Sequence, residues 1–221
     1  MNNISMTKPP LILAMIFLFL VAAGAAVAQL DDIIHINEVL ADPASDWNGD
    51  GSVDFKNDEW VEIMNNWTEP INLSNYYLRD DLGDDPHLKL FGVLDPGETV
   101  VFFGSDAVAW QMEMGMTTSG LSLNNGGDVV RLERSYEGPD GPAMELMFVV
   151  GYDDHEAEDD RSCGFNSNLS DWILFDNLNP YGGDLEPVGT GCLPSPGSVN
   201  LCDEQVAVED RSFGEVKAIF R

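Results

Sequence analysis

The sequence predicts an all-β fold, an antiparallel sandwich preceded by an export signal. Three observations carry this. Short runs of β-branched and aromatic residues recur along the chain, and clusters of Gly, Asn, Asp and Pro separate them. Between residues 30 and 200, helical periodicity is confined to Ala107 to Met114. Short strands punctuated by turn-formers are the pattern of an antiparallel sandwich.

The export signal comes first. Lys8 precedes an unbroken apolar run from Leu11 to Ala23, and Ala26-Val27-Ala28 places small residues ahead of Gln29. A positive start, an apolar core and an A-x-A site describe a secretory signal peptide over residues 1–28. The core is 13 residues long, short of the ~20 that span a bilayer, so cleavage is expected rather than a retained anchor. No Cys follows the run, and no later segment is apolar enough to cross a membrane. The protein is therefore expected to be secreted, periplasmic or at the cell surface, without stable membrane insertion once the signal is cleaved.

The strand-like segments follow in order: Ile33 to Ala41, Trp60 to Met64, Tyr76 to Leu78, Thr99 to Phe103, Val129 to Leu132 and Met147 to Val150. Between them stand Asn65-Asn66, Asp80-Asp81, Asp95-Pro96-Gly97 and Asn124-Asn125-Gly126-Gly127. Gly97 and the Gly126-Gly127 pair are expected to supply positive φ for tight turns. Trp60, Tyr76, Tyr77 and Phe102 are expected in the core. Glu38 and Glu62 fall in otherwise half-buried strands and are expected to face outward as solubilising carboxylates.

Composition narrows the function classes. Ten Lys and Arg stand against 39 Asp and Glu, a formal net charge of −29 over 221 residues. Nucleic acid is excluded as a partner, because its affinity comes from clustered cations that this chain lacks. Anionic lipid headgroups are disfavoured for the same reason. A hydrophobic share of 44% is too high for a disordered acidic tail.

A family resemblance rests on six motifs in sequence order. They are Ile36-Asn37-Glu38-Val39, then Asp58-Glu59-Trp60-Val61-Glu62-Ile63 with Asn65, then Ile71 to Leu78 with Asp80. Leu94-Asp95-Pro96-Gly97-Glu98, Leu121 to Val130 and Pro194-Ser195-Pro196-Gly197-Ser198-Val199-Asn200 complete the series. Together they resemble the lamin-tail domain as it occurs in exported bacterial proteins, over roughly residues 33–200. The resemblance implies an immunoglobulin-like β-sandwich that serves as a non-catalytic binding or structural module. A protein or cell-envelope component is the expected partner, and the sequence does not identify which. The filament role of the nuclear lamins needs a coiled-coil rod, which this sequence lacks, and their nucleic-acid contacts do not suit so acidic a chain.

The sharpest chemical pattern is Asp46-Trp47-Asn48-Gly49-Asp50-Gly51-Ser52-Val53-Asp54. It places oxygen-bearing side chains at relative positions 1, 3, 5 and 9, Gly at 6 and an apolar residue at 8. That is most of a loop that wraps a hard cation in carboxylates. Asp46, Asn48, Asp50, Ser52, Asp54 and Asp58 are the expected ligands of a structural Ca2+. Position 12 is Asn57, so the remaining ligand is expected from Asp58, Glu59 or another segment. Strands flank the loop, so a staple is expected rather than a helix-pair switch.

A second acidic run, Asp153 to Asp160, is expected as a solvated loop, with a second metal site as the alternative. His35, His87 and His155 have no metal-binding spacing. Cys163, Cys192 and Cys202 allow one disulfide in any of three pairings. No G-x-S-x-G, H-E-x-x-H, G-x-x-x-x-G-K or G-x-G-x-x-G motif occurs. The competing reading is a secreted hydrolase with a carboxylate or metal site in the acidic loops. In the tail, residues 201–221, Phe213, Val216 and Phe220 fit one face of a short helix.

Overall fold

The computed structural model describes residues 28–29, 33–80 and 85–200. The expected signal peptide ahead of Ala28, Cys202 and the 201–221 tail lie outside the described residues. The strands are β1 (Ala28–Gln29), β2 (Ile34–Leu40), β3 (Trp60–Asn65), β4 (Ile71–Asn72), β5 (Tyr76–Arg79), β6 (Leu88–Lys89) and β7 (Val93–Leu94). β8 (Thr99–Phe103), helix α1 (Gly104–Glu113), β9 (Gly127–Gly138), β10 (Gly141–Asp153), β11 (Ser162–Phe165) and β12 (Trp172–Phe175) follow. They form two five-stranded sheets, ordered β1-β10-β9-β5-β6 and β12-β11-β2-β3-β8, with a small β4-β7 ribbon.

The alternating apolar residues explain how the sheets pack. Ile34, Ile36, Val39, Val61, Ile63 and Phe102 from one sheet meet Leu78, Val130, Leu132, Phe148 and Val150 from the other in one core. Each such side chain contributes on the order of 1.5–3 kcal/mol when fully buried. All six expected strands are present, and β9 and β10 are longer than their apolar centres because they continue into a hairpin. Its tip is tied by Arg134 and Glu145, 2.6 Å apart. β11 and β12 were not expected: Gly164 interrupts the first, and both are only four residues long.

The expected orientation of Glu38 and Glu62 is wrong. Both side chains are fully buried, each at 0% exposure. β2 sits centrally in its sheet, between β11 and β3, and all seven of its residues are buried. Glu38 and Glu62 are direct cross-strand partners, pointing away from the inter-sheet core. The Ser195–Asn200 segment covers that second face and, with Asn37 and Ser162, supplies their hydrogen-bond donors. Alternation correctly gave the side of the strand; it carried no information about what lies over that side.

Other expectations need smaller corrections. Gly97 (φ 77°) and Gly127 (φ 99°) adopt the left-handed conformation, whereas Gly126 does not. Trp60, Tyr76 and Phe102 are buried. Tyr77 is only half-buried, with the Lys89 ammonium 5.8 Å from its ring centroid. The helix begins three residues earlier than its periodicity suggested, because Asp106 accepts a hydrogen bond from the Phe103 amide and caps it. Cys192 is disulfide-bonded and Cys163 is a buried free thiol. Among the described residues, no helix is long and apolar enough to cross a membrane.

Candidate functional site

The acidic loop between β2 and β3 is held by its own side chains. Asp46 Oδ1 accepts from the amides of Gly49 (2.8 Å) and Asp50 (3.1 Å), and its Oδ2 accepts from Gly51 (2.9 Å). Asn48 Oδ1 accepts from Asp50 N, and Asp50 Oδ1 from Ser52 N. Asn48 and Asp50 form successive Asx turns to the amides two residues on, while Asp46 reaches amides three to five residues on. Gly51, at φ 91°, makes the sharp turn expected of position 6.

Asp58 closes the loop from the inside. It is fully buried, with Oδ1 accepting from Asn48 N (3.0 Å) and Oδ2 from Asp54 N (2.7 Å). Asp54 in turn accepts from the amides of Lys56 and Asn57. Asp46, Asp50 and Ser52 are exposed, and Asn48 and Asp54 half-buried. The loop's exit is clamped on α1: Gly104 N donates to Glu59 O and Ser105 N to Asn57 O. A β-carbon at Gly104 would collide with the Lys56 carbonyl oxygen. Glu59 does not reach the loop's rim. It is buried against the Leu123 amide, and burial raises its carboxyl to about 9.

The second acidic run meets the first. Asp160 Oδ1 accepts from the amides of Ala44 and Ser45 and from the Trp47 indole N–H (2.7 Å), while Oδ2 accepts from the Ser45 hydroxyl. Trp47 lies over Trp60, with ring centroids 6.0 Å apart. Asp42 sits at the same junction; partial burial, and then the Asp159 charge, raise its carboxyl. The expectation of a solvated loop over Asp153 to Asp160 holds for only half of it. Asp153, Asp154, Glu158 and Asp159 are exposed, but His155, Glu156 and Asp160 are buried.

Within that run Asp153, His155 and Glu156 come together. Their ligand atoms all lie within 4.8 Å of one another, so the group could hold an ion. It is the one such group of His, Cys, Asp and Glu among the described residues; no three carboxylates of the 46–58 loop gather to that distance. Histidine spacing could not reveal it, because two of the three ligands are carboxylates in a tight turn. Burial, and then the Asp153 charge, raise the Glu156 carboxyl to about 7, partly opposed by the Asp153 amide it accepts from.

The family motifs converge on a different place. Glu38 accepts from the Ser162 hydroxyl (2.5 Å), the Ser195 amide (3.1 Å) and, on Oε2, the Ser195 hydroxyl (2.9 Å). Glu62 accepts from Asn37 Nδ2 and Gly197 N, both at 2.6 Å. Asn200 donates to the carbonyls of Asn37 and Phe165. Ser195 Oγ also lies 3.0 Å from Asn200 Oδ1, yet a hydroxyl has one proton to give. A proton on Glu38 Oε2 would let Glu38 donate to Ser195 Oγ and free that hydroxyl to donate to Asn200. Burial raises Glu38 to about 7 and also raises Glu62, which fits this count.

Two packed antiparallel sheets, with a buried polar latch and acidic loops at the rim, define an immunoglobulin-like β-sandwich. The Lamin Tail Domain family model matches residues 29–152, more than half of the chain, and the chain belongs to that family. No curated protein matches it significantly. β11, β12 and the 194–200 motif lie beyond the matched span, but β11 pairs with β2 and the motif covers Glu38 and Glu62.

Proposed function

We propose that this Lamin Tail Domain protein is an exported, non-catalytic binding or structural module whose 46–58 loop is stapled by Ca2+. The observation that carries the reading is the run of Asx turns from Asp46 to Ser52. These bonds hold the loop backbone in a wrapped form, so that the side-chain carboxylates have only to close in around the ion. Asp46, Asn48, Asp50, Ser52 and Asp54 supply the oxygens; Asp58 braces the loop through its two amide contacts. An affinity on the order of 10⁻⁴–10⁻³ M suits an extracellular module of this kind.

Three further features support the parts of this reading. The disulfide at Cys192 fits an oxidising compartment outside the cytoplasm. The polar residues of the family motifs are consumed in structural hydrogen bonds, which favours a module over a catalyst. Phe55, 70% exposed, stands on the loop beside an open groove of about 260 Å³ lined also by Lys56, Val108 and Thr118. An exposed aromatic on a braced loop is a contact point for a protein or envelope component. Calorimetric Ca2+ titration tests the staple: wild type is expected to bind one ion and the Asp46→Asn/Asp50→Asn variant none. Capture from envelope fractions tests the partner, and the Phe55→Ser variant is expected to lose it.

A further inference from the structure

The Asp153 turn holds a buried histidine with nothing to bond. His155 is 7% exposed, and neither Nδ1 nor Nε2 has a hydrogen-bond partner in the protein. A buried imidazole ordinarily satisfies at least one nitrogen, since leaving a polar group unpaired costs about 1–3 kcal/mol. Its ring is not free to turn away. Tyr181 packs against it with centroids 4.8 Å apart, and Arg161 fixes its backbone by donating to the His155 carbonyl (2.8 Å). Arg161 also lies over the Tyr181 ring, at 5.5 Å.

The neighbouring carboxylates are equally fixed. Glu156 is 2% exposed; its Oε2 accepts from the Asp153 amide at 2.7 Å, and Glu156 N donates back to Asp153 O at 3.1 Å. The Trp172 indole and the Cys163 thiol neighbour the Glu156 carboxyl, and its Oε1 makes no hydrogen bond of good geometry. The reciprocal turn places residues 153, 155 and 156 on one side, with Asp153 open to solvent as the entry.

From this geometry we infer that Asp153, His155 and Glu156 form a cation site, separate from the 46–58 loop, for a divalent transition metal of the zinc class. Two carboxylates and one neutral imidazole balance a divalent charge. The imidazole is what selects the metal: nitrogen suits zinc-class ions, whereas Ca2+ takes oxygen ligands throughout. Three protein ligands leave a coordination position for water. The inference is independent of the calcium reading, because the two sites share no residue.

The test is Zn2+ calorimetry on the full exported chain, freed of metal by chelator and titrated in millimolar Ca2+. One equivalent is expected to bind. His155→Gln and Asp153→Asn are each expected to weaken it by about tenfold or more, while Asp46→Asn leaves it unchanged. Asp153 is exposed, so its variant keeps the fold even if a His155 substitution does not; thermal melts check both. Co2+ in place of Zn2+ is expected to give visible ligand-field bands that disappear in folded His155→Gln. No saturable Zn2+ binding, or binding that survives the Asp153→Asn substitution unchanged, overturns the assignment.

Discussion

The 46–58 loop and the Glu38–Glu62 latch are built from the same acidic side chains and treat them in opposite ways. In the loop, Asp46, Asn48 and Asp50 bond to amides two to five residues away, and the two aspartates remain at the surface. In the latch, Glu38 and Glu62 are fully buried and take donors from residues 25 to 157 positions away. A local carboxylate at the surface shapes a loop at little desolvation cost. A buried one must be matched by many groups at once, and neutralises when the match favours the acid. The loop is thus available for a ligand, and the latch is committed to the fold.

Removing a latch carboxyl should show the largest effect. Glu38→Ala strands Ser162 and Ser195 and leaves a cavity; a loss of about 3 kcal/mol is expected in urea unfolding near pH 6. The pH profile follows with a similar size. Glu38 is raised to about 7 when folded, from an ordinary 4.5. The folded state therefore keeps a proton that the unfolded chain releases, and Glu62 acts in the same direction. That contribution is complete below pH 4.5 and is lost as pH rises through about 7, a decline on the order of 3 kcal/mol for Glu38. Glu38→Gln can donate from its amide as the acid does, and should be flatter across this range and at least as stable as wild type at pH 8.

The junction between the two acidic runs should rank next. Asp160→Ala removes four acceptor contacts to residues 44–47 and is expected to cost about 2 kcal/mol. Near-equal losses for Asp160→Ala and a rim residue such as Glu158→Ala would erase the distinction between braced and solvated acids. The loop itself should matter least without metal. Asp46→Ala in chelator is expected to cost about 1 kcal/mol or less, because its acceptors serve exposed amides that water can reach.

The same contrast explains what could be read in advance. Asp46, Gly51 and the alternating strands carry their partners within a few residues, so spacing and side-chain type revealed them. Glu38 and Glu62 were recognisable as motif positions but not as buried acids, since Ser162, Ser195 and Gly197 reach them only after the chain has folded back. β11 escaped notice because Gly164 occupies a place where a β-carbon would meet Asn37 O and Glu38. Its glycine reads as a turn, although close packing requires it. The Asp153 to Asp160 run reads equally as a solvated loop or as a metal site, because its acids are common ones and only burial sets His155 and Glu156 apart.

The most direct test of the calcium-stapled module is a pair of melting curves at constant ionic strength, one in 10 mM Ca2+ and one in chelator. For an affinity near 10⁻³ to 10⁻⁴ M, stabilisation of about 1–3 kcal/mol is expected, raising Tm by roughly 5 °C. Glu38→Gln should retain that rise, and Asp46→Asn/Asp50→Asn should abolish it. Superimposed curves for the wild-type protein would contradict the staple.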